Sequence, residues 1–167
     1  MSQLSDEFRA AFRHHPAGVA LITATVDEIP YGLTISSLAS LSIDPVAVSF
    51  SLAKESGAAG AVLAAPSFII HMLGEKHEAL ANNFARPGAP RFTPDQNFHL
   101  LPTGEPYLAD APVAFRSTIH SSVSIGGSRL IAAEVHDILR GEEQQHLLHQ
   151  NREYLKLSGL FAAISHD

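Results

Sequence analysis

Residues 113–139 read VAFRSTIHSSVSI (113–125), GGSR (126–129) and LIAAEVHDIL (130–139). Two long stretches of β-branched and small residues flank a Gly-Gly turn, a strong hairpin signal because tight hairpin turns need residues that accept positive φ. Outward from this hairpin the pattern repeats. Val19–Thr25, Tyr31–Ser36, Val46–Leu52 and Ser67–Leu73 each read as a strand. Two short helices are expected among them. Gly57–Ala64 is capped by Ser56 and stopped by Pro66, and Glu75–Ala85 places Leu80 and Phe84 on one face. An N-terminal helix, opened by Ser2 or Ser5, carries Leu4, Phe8, Ala11 and Phe12 on one side. Residues 142–151 also read as helical, and 153–164 as a last strand or a docking element. Arg86–Tyr107, with five prolines, reads as a long irregular loop whose Phe92, Phe98, Leu100 and Leu101 are exposed for an interface. About six antiparallel strands with short helical inserts predict a mainly β fold, a barrel, in a single domain over residues 1–167.

Composition narrows the functional classes. Hydrophobic residues make up 46% of the chain, enough for a core. The net charge is −6 and the eleven Lys and Arg form no run, which argues against nucleic-acid binding. Without cysteine there are no disulfides, thiolate nucleophiles or Cys-containing zinc sites. No stretch approaches the roughly 18 apolar residues that cross a bilayer, and the first residues lack a signal-peptide pattern. The expectation is a cytoplasmic protein with neither membrane nor nucleic acid as partner.

The chemistry-bearing stretch is GLTISSLASLSIDP at 32–45, with five hydroxyl side chains (Thr34, Ser36, Ser37, Ser40 and Ser42). Thr34 and Ser36 share one strand face, and Leu33 and Ile35 the other. Neutral donors over an apolar backing suit a planar heteroaromatic ligand, because they meet its carbonyls without burying charge. A half-exposed strand with hydroxyls facing water is the plainer alternative. A phosphate would find counter-charge at Lys54 and free N–H groups where Ser56–Gly57–Ala58–Ala59 opens a helix. Arg86 and Arg91 are the other phosphate candidates.

Several segments, in order, resemble the flavin reductase-like family of FMN-binding split barrels. They are FRHHPAGV (12–19), GLTISSLASLSIDP (32–45), SFIIHML (67–73), LANNFA (80–85), LPTGEP (101–106) and REYLKL (152–157). The resemblance implies a homodimer of a Greek-key barrel with FMN, or FAD, between subunits. It also implies NAD(P)H as electron donor and a partner monooxygenase that receives reduced flavin. Carried over by position, Thr34, Ile35, Ser36 and Ser37 line the isoalloxazine and ribityl chain, and Ser40 and Leu41 continue that wall. Ser51, Lys54 and Ser56 match positions near the phosphate. Phe84, Ala85 and Arg86 match the segment that closes over the flavin. Family reductases carry Gly-Asp-His at the hairpin tip, where this chain has Gly126–Gly127–Ser128 followed by Arg129, so Gly127–Ser128 replaces Asp-His.

A flavin-binding carrier or sensor without NAD(P)H turnover is therefore the competing reading. Another planar cofactor such as haem in the same cleft is a third. The ten histidines include the neighbours His14–His15 and the pair His146 and His149, but no set with metal-ligand spacing, so no metal is expected. His71, inside an apolar strand, reads as a hydrogen-bonded core residue. No Gly-x-Ser-x-Gly elbow supports a serine hydrolase.

Overall fold

The computed structural model describes residues 2–53 and 55–159. Helix α1 (Gln3–Arg13) comes first; Ser2 is its cap, its hydroxyl accepting from the Ser5 N–H. Strands β1 (Ala17–Gly18), β2 (Ala20–Val26), β3 (Ile29–Ile35), β4 (Ala39–Ile43) and β5 (Val46–Leu52) follow. Helix α2 (Gly57–Ala64) and β6 (Phe68–Met72) precede a 3₁₀ turn at Glu75–His77 that runs into α3 (Glu78–Ala85). Next come β7 (Phe98–Leu100), β8 (Pro106–Leu108), β9 (Val113–Ile125), β10 (Ser128–Arg140), β11 (Leu147–Gln150) and β12 (Glu153–Lys156).

Seven strands form one antiparallel sheet in the order β3-β2-β6-β9-β10-β5-β4. Its two edge strands, β3 and β4, are consecutive in the chain and joined only by residues 36–38. Laid flat, seven strands span about 29 Å. The connector reaches at most about 14 Å. The sheet must therefore curl until its edges nearly meet, giving a barrel split along one seam. In the connector the Ser37 hydroxyl donates to the Ser51 carbonyl (3.2 Å) and accepts from the Ser51 N–H (3.0 Å), continuing the β4–β5 register. The fold is mainly β, as the sequence predicts, with more strands than expected because β1, β11 and β12 form a small second sheet and β7–β8 a hairpin.

β2 is buried on both faces, which explains its nearly unbroken apolar run. Ala20, Ile22 and Ala24 face the barrel interior with Phe50, Leu52, Phe68 and Ile131, and α2 packs its Ala59 and Val62 there. Leu21, with Val19, faces a second cluster containing Leu80, Phe84 and Leu147. On β5 the inward Val48, Phe50 and Leu52 alternate with the more accessible Ser49 and Ser51.

Three local expectations are corrected. Residues 142–151 are not helical: Gly74 bridges to His146, the Val19 N–H donates to the Leu147 carbonyl, and β11 pairs with β1 and β12. Backbone pairing across the fold outweighs the local preference of Glu142–Gln145. Ser56 occupies the cap position of α2, but its side chain makes no capping hydrogen bond. Phe92 and Phe98 are not an exposed surface; their rings stand 4.9 Å apart and pack on Phe84 at 5.1 and 5.7 Å. Leu100 remains 71% exposed.

Candidate functional site

The site begins where β3 ends. Thr34 donates its hydroxyl to the Ala81 carbonyl (2.7 Å), tying the strand to α3. Beyond Ile35 the chain leaves the sheet, so Ser36 and Ser37 are exposed. Val19, Thr34, Ile35, Ser36, Ala85, His149 and Tyr154 line an open groove of about 160 Å³ here. Four of the expected site residues (Thr34, Ile35, Ser36 and Ala85) thus converge. Ser37, next to the groove-lining Ser36, is held to Ser51 of β5. Ser40 and Leu41 lie exposed on β4, outside the groove lining, and Ser56 opens α2. Lys54 lies outside the described residues.

Two expected residues are used differently. Phe84 is 2% exposed, held in the aromatic cluster, and offers no ring face to the groove. Arg91, the other phosphate candidate, is committed to backbone. Its guanidinium donates to the carbonyls of Gly32, Asn83, Phe84 and Arg86 at 2.9–3.3 Å and lies over the Phe84 ring. It closes the C-terminal end of α3 and covers the free edge of β3. Arg86 is exposed, and its charge acts on the Tyr154 phenol.

His149 and Tyr154 had no sequence signal as site residues, because the first was read as helical and the second as part of an end motif. β11 and β12 bring them together, their rings 5.6 Å apart. Burial raises the Tyr154 pKa, with Glu78 adding to the shift and Arg86 opposing it, so the phenol stays a neutral donor. His71 is fully buried. It faces the Leu21 carbonyl through Nδ1 (3.1 Å) and accepts from the Leu108 N–H at Nε2 (3.0 Å). The second contact fixes the proton on Nδ1, and burial drives the pKa down to about 4. Among the described residues, no three His, Asp or Glu side chains converge as a metal site.

Residues 12–158 match the family model described as the flavin reductase like domain. The chain belongs to the flavin reductase like family. The NADH:FMN oxidoreductase of Rhodococcus erythropolis is 35% identical over 153 residues, covering 89% of this chain and 80% of that protein. The reductase component of 4-nitrophenol 4-monooxygenase/4-nitrocatechol 2-monooxygenase from Rhodococcus opacus is 37% identical, covering 77% of this chain and 69% of that protein. The crystal structure of a flavin reductase domain protein from Arthrobacter sp. FB24 superposes with a TM-score of 0.85 at 33% identity, covering 90% of this chain and 94% of that one. The split barrel is thus the flavin reductase fold.

Within that family frame, the hairpin tip departs from the expected Asp-His. Gly126 has φ +57, as the first central residue of a type II′ turn requires. A Cβ added at Gly127 meets nothing within 4 Å, so the space for a side chain is present and unused. Arg129 is turned aside, its Nε and Nη2 holding the Glu55 carboxylate at 2.9 and 2.8 Å.

Proposed function

We propose that this protein is a flavin reductase that holds FMN between two copies of the chain. It takes electrons from NAD(P)H and supplies reduced flavin to a partner monooxygenase. The observation that carries this reading is the groove, in which Thr34 and Ser36 hydroxyls stand beside an apolar wall of Val19, Ile35 and Tyr154. Such a lining fits a flavin: the Ser36 hydroxyl can donate to the polar pyrimidine edge, the Thr34 oxygen, whose proton goes to Ala81, can accept from a ring N–H, and the apolar wall meets the hydrocarbon face. Ser37 and Ser51 extend toward the ribityl chain, with Ser40 and Leu41 further along. Lys54 and Ser56 receive the phosphate, and Ala85 and Arg86 border the opposite side.

Bound flavin supplies the hydride-accepting chemistry. The protein's part is to orient and to exclude water. No side-chain acid is required, which accommodates Gly127 and Ser128. The donor nicotinamide carries the choice of NADH or NADPH, and FAD is the alternative flavin.

Size supports a homodimer. A groove of about 160 Å³ is smaller than the roughly 300 Å³ at which enclosing ligand sites begin. A second copy would complete it, covering Leu41, Ile43 and Val46 of the β4–β5 edge and Val123, Ile125 and Leu130 near the hairpin tip, all at least 45% exposed. Residues 1–167 act as one domain. A cytoplasmic setting supplies NAD(P)H, and among the described residues no helix is long and apolar enough to cross a membrane.

The test is an absorbance spectrum of purified protein, then anaerobic stopped-flow mixing with NADH and NADPH. Bleaching of the flavin bands is expected. Retained flavin that neither donor bleaches would instead support the carrier reading, which the missing Asp-His favours. In that case a Gly127→Asp, Ser128→His double variant should gain bleaching. A Soret band would replace flavin by haem. Light scattering of the FMN complex should give twice the chain mass.

A further inference from the structure

Apart from Arg91, whose guanidinium is taken up by backbone carbonyls, four arginines among the described residues have no carboxylate partner: Arg13, Arg86, Arg140 and Arg152. In a chain of net charge −6 this is not a random remainder, because three of the four gather at one place. Arg86 acts on Tyr154 in the groove wall. Arg13 and Arg152 line an adjoining cavity of about 290 Å³, together with Phe8, Phe12, His149 and Arg9, the last of these paired with Asp6. His149 also lines the flavin groove, so the two spaces share a wall. No carboxylate lines the second cavity.

The cavity is built by the docking of α1 on the β11–β12 turn. The Asn151 N–H donates to the Arg13 carbonyl (2.8 Å), and the Gln150 amide donates to the His14 carbonyl (2.7 Å). Phe8 and Phe12 lie with ring centroids 4.6 Å apart and are each about three-fifths exposed. The turn residues Asn151 and Arg152 have φ +55 and +66. A type I′ turn of this kind favours Asn-Gly. The chain has Asn-Arg, so a side chain is kept where glycine would relieve backbone strain.

We propose that Arg13 and Arg152, with the Phe8 and Phe12 rings, form a subsite for an aromatic phosphate ester or diphosphate that extends out of the flavin groove. The guanidinium groups pair with phosphate oxygens, and the rings stack on a planar base. This rests on the flavin reductase reading. Because Lys54 and Ser56 are assigned the flavin phosphate, the ligand of that reaction that carries this chemistry is the adenine diphosphate half of the nicotinamide donor.

Arg152→Gly separates binding from folding, since glycine suits the turn and the variant should melt no lower than the parent. Arg13→Gln is the second variant. Arg140→Gln, which removes the same charge but lines neither cavity, is the control. Three quantities are read on each: the Kd of FMN, the Kd of riboflavin, and the KM for NADH. If the subsite takes the donor, Arg152→Gly and Arg13→Gln raise the NADH KM about tenfold and leave both flavin Kd values in place. A rise of about tenfold in the FMN Kd with the riboflavin Kd unchanged would overturn the donor assignment and move the flavin phosphate here from Lys54 and Ser56. Arg140→Gln moves none of them. Both arginine variants matching the parent in all three quantities would overturn the subsite. A parent protein that binds neither FMN nor riboflavin would overturn the flavin reading instead.

Discussion

Gly32 shows how one hydrogen atom's worth of side chain sets the site. A Cβ there would lie 2.5 and 2.7 Å from the Phe84 ring and 3.2 Å from Phe92. The absence of a side chain lets α3 and the 86–98 segment lie directly on β3. Gly32→Ala should cost about 1–3 kcal/mol by overpacking and lower the Tm by several degrees in a thermal melt. FMN affinity should fall with it, because Ala85 and Thr34 flank the displaced cluster. At this scale the sequence was partly legible. The Thr34–Ser36 hydroxyls could be placed because strand alternation dictates which face they share. The inward turn of Phe84 and the commitment of Arg91 could not, since each depends on groups brought from β3 and α3 together.

Among the elements, α3 is closed by an arginine from the following loop. Arg91 meets four carbonyls in a planar fork that a lysine cannot reproduce. Arg91→Lys should leave the barrel folded but loosen the end of α3. Amide hydrogen exchange at Phe84–Arg86 is the measurement, with faster exchange expected there and little change in β9 and β10. Elements whose ends are marked locally were legible: β5 and α2 match their predicted bounds, set by Pro45 before one and Pro66 after the other. β11 was not, because its hydrogen-bond partners are β1 and β12 and nothing within 142–151 announces them. The short hairpin β7–β8, though its strands pair with each other, was hidden because the prolines around it read as irregular chain.

For the molecule as a whole, the loop at 101–106 is stapled to the barrel by a buried carboxylate. Glu105, 2% exposed, accepts from the Ser67 and Thr103 hydroxyls and from Arg116 Nε (2.9 Å). Burial alone would raise its pKa, but these donors and the Arg116 charge hold it below the usual carboxylate range. Glu105→Ala leaves Arg116 with Asp137 at 3.6 Å but removes the acceptor of the Ser67 and Thr103 hydroxyls, and should cost about 1–3 kcal/mol in urea denaturation. Acid acts through His71. The unfolded chain binds this proton near pH 6.5 and the native chain only near pH 4, so the unfolded state takes it up first. Stability present above pH 6.5 should therefore decline as the pH falls toward 4, by about 3 kcal/mol in total. Urea midpoints across that range would check it, and His71→Gln, though less stable at pH 7, should flatten that part of the profile.

The three-residue connector between the sheet's edge strands also bears on how fast the molecule assembles. Three of the six strand pairings in the sheet join distant parts of the chain: Ile22 faces Ile70, Ile70 faces Phe115, and Leu52 faces Arg129. Such long-range pairing predicts folding in milliseconds to seconds. Residues 34–37 sit on the seam, which can close only after β5 has found β10 and β2 has found β6. In a refolding experiment, recovery of FMN binding should accordingly lag behind the burial of the barrel core.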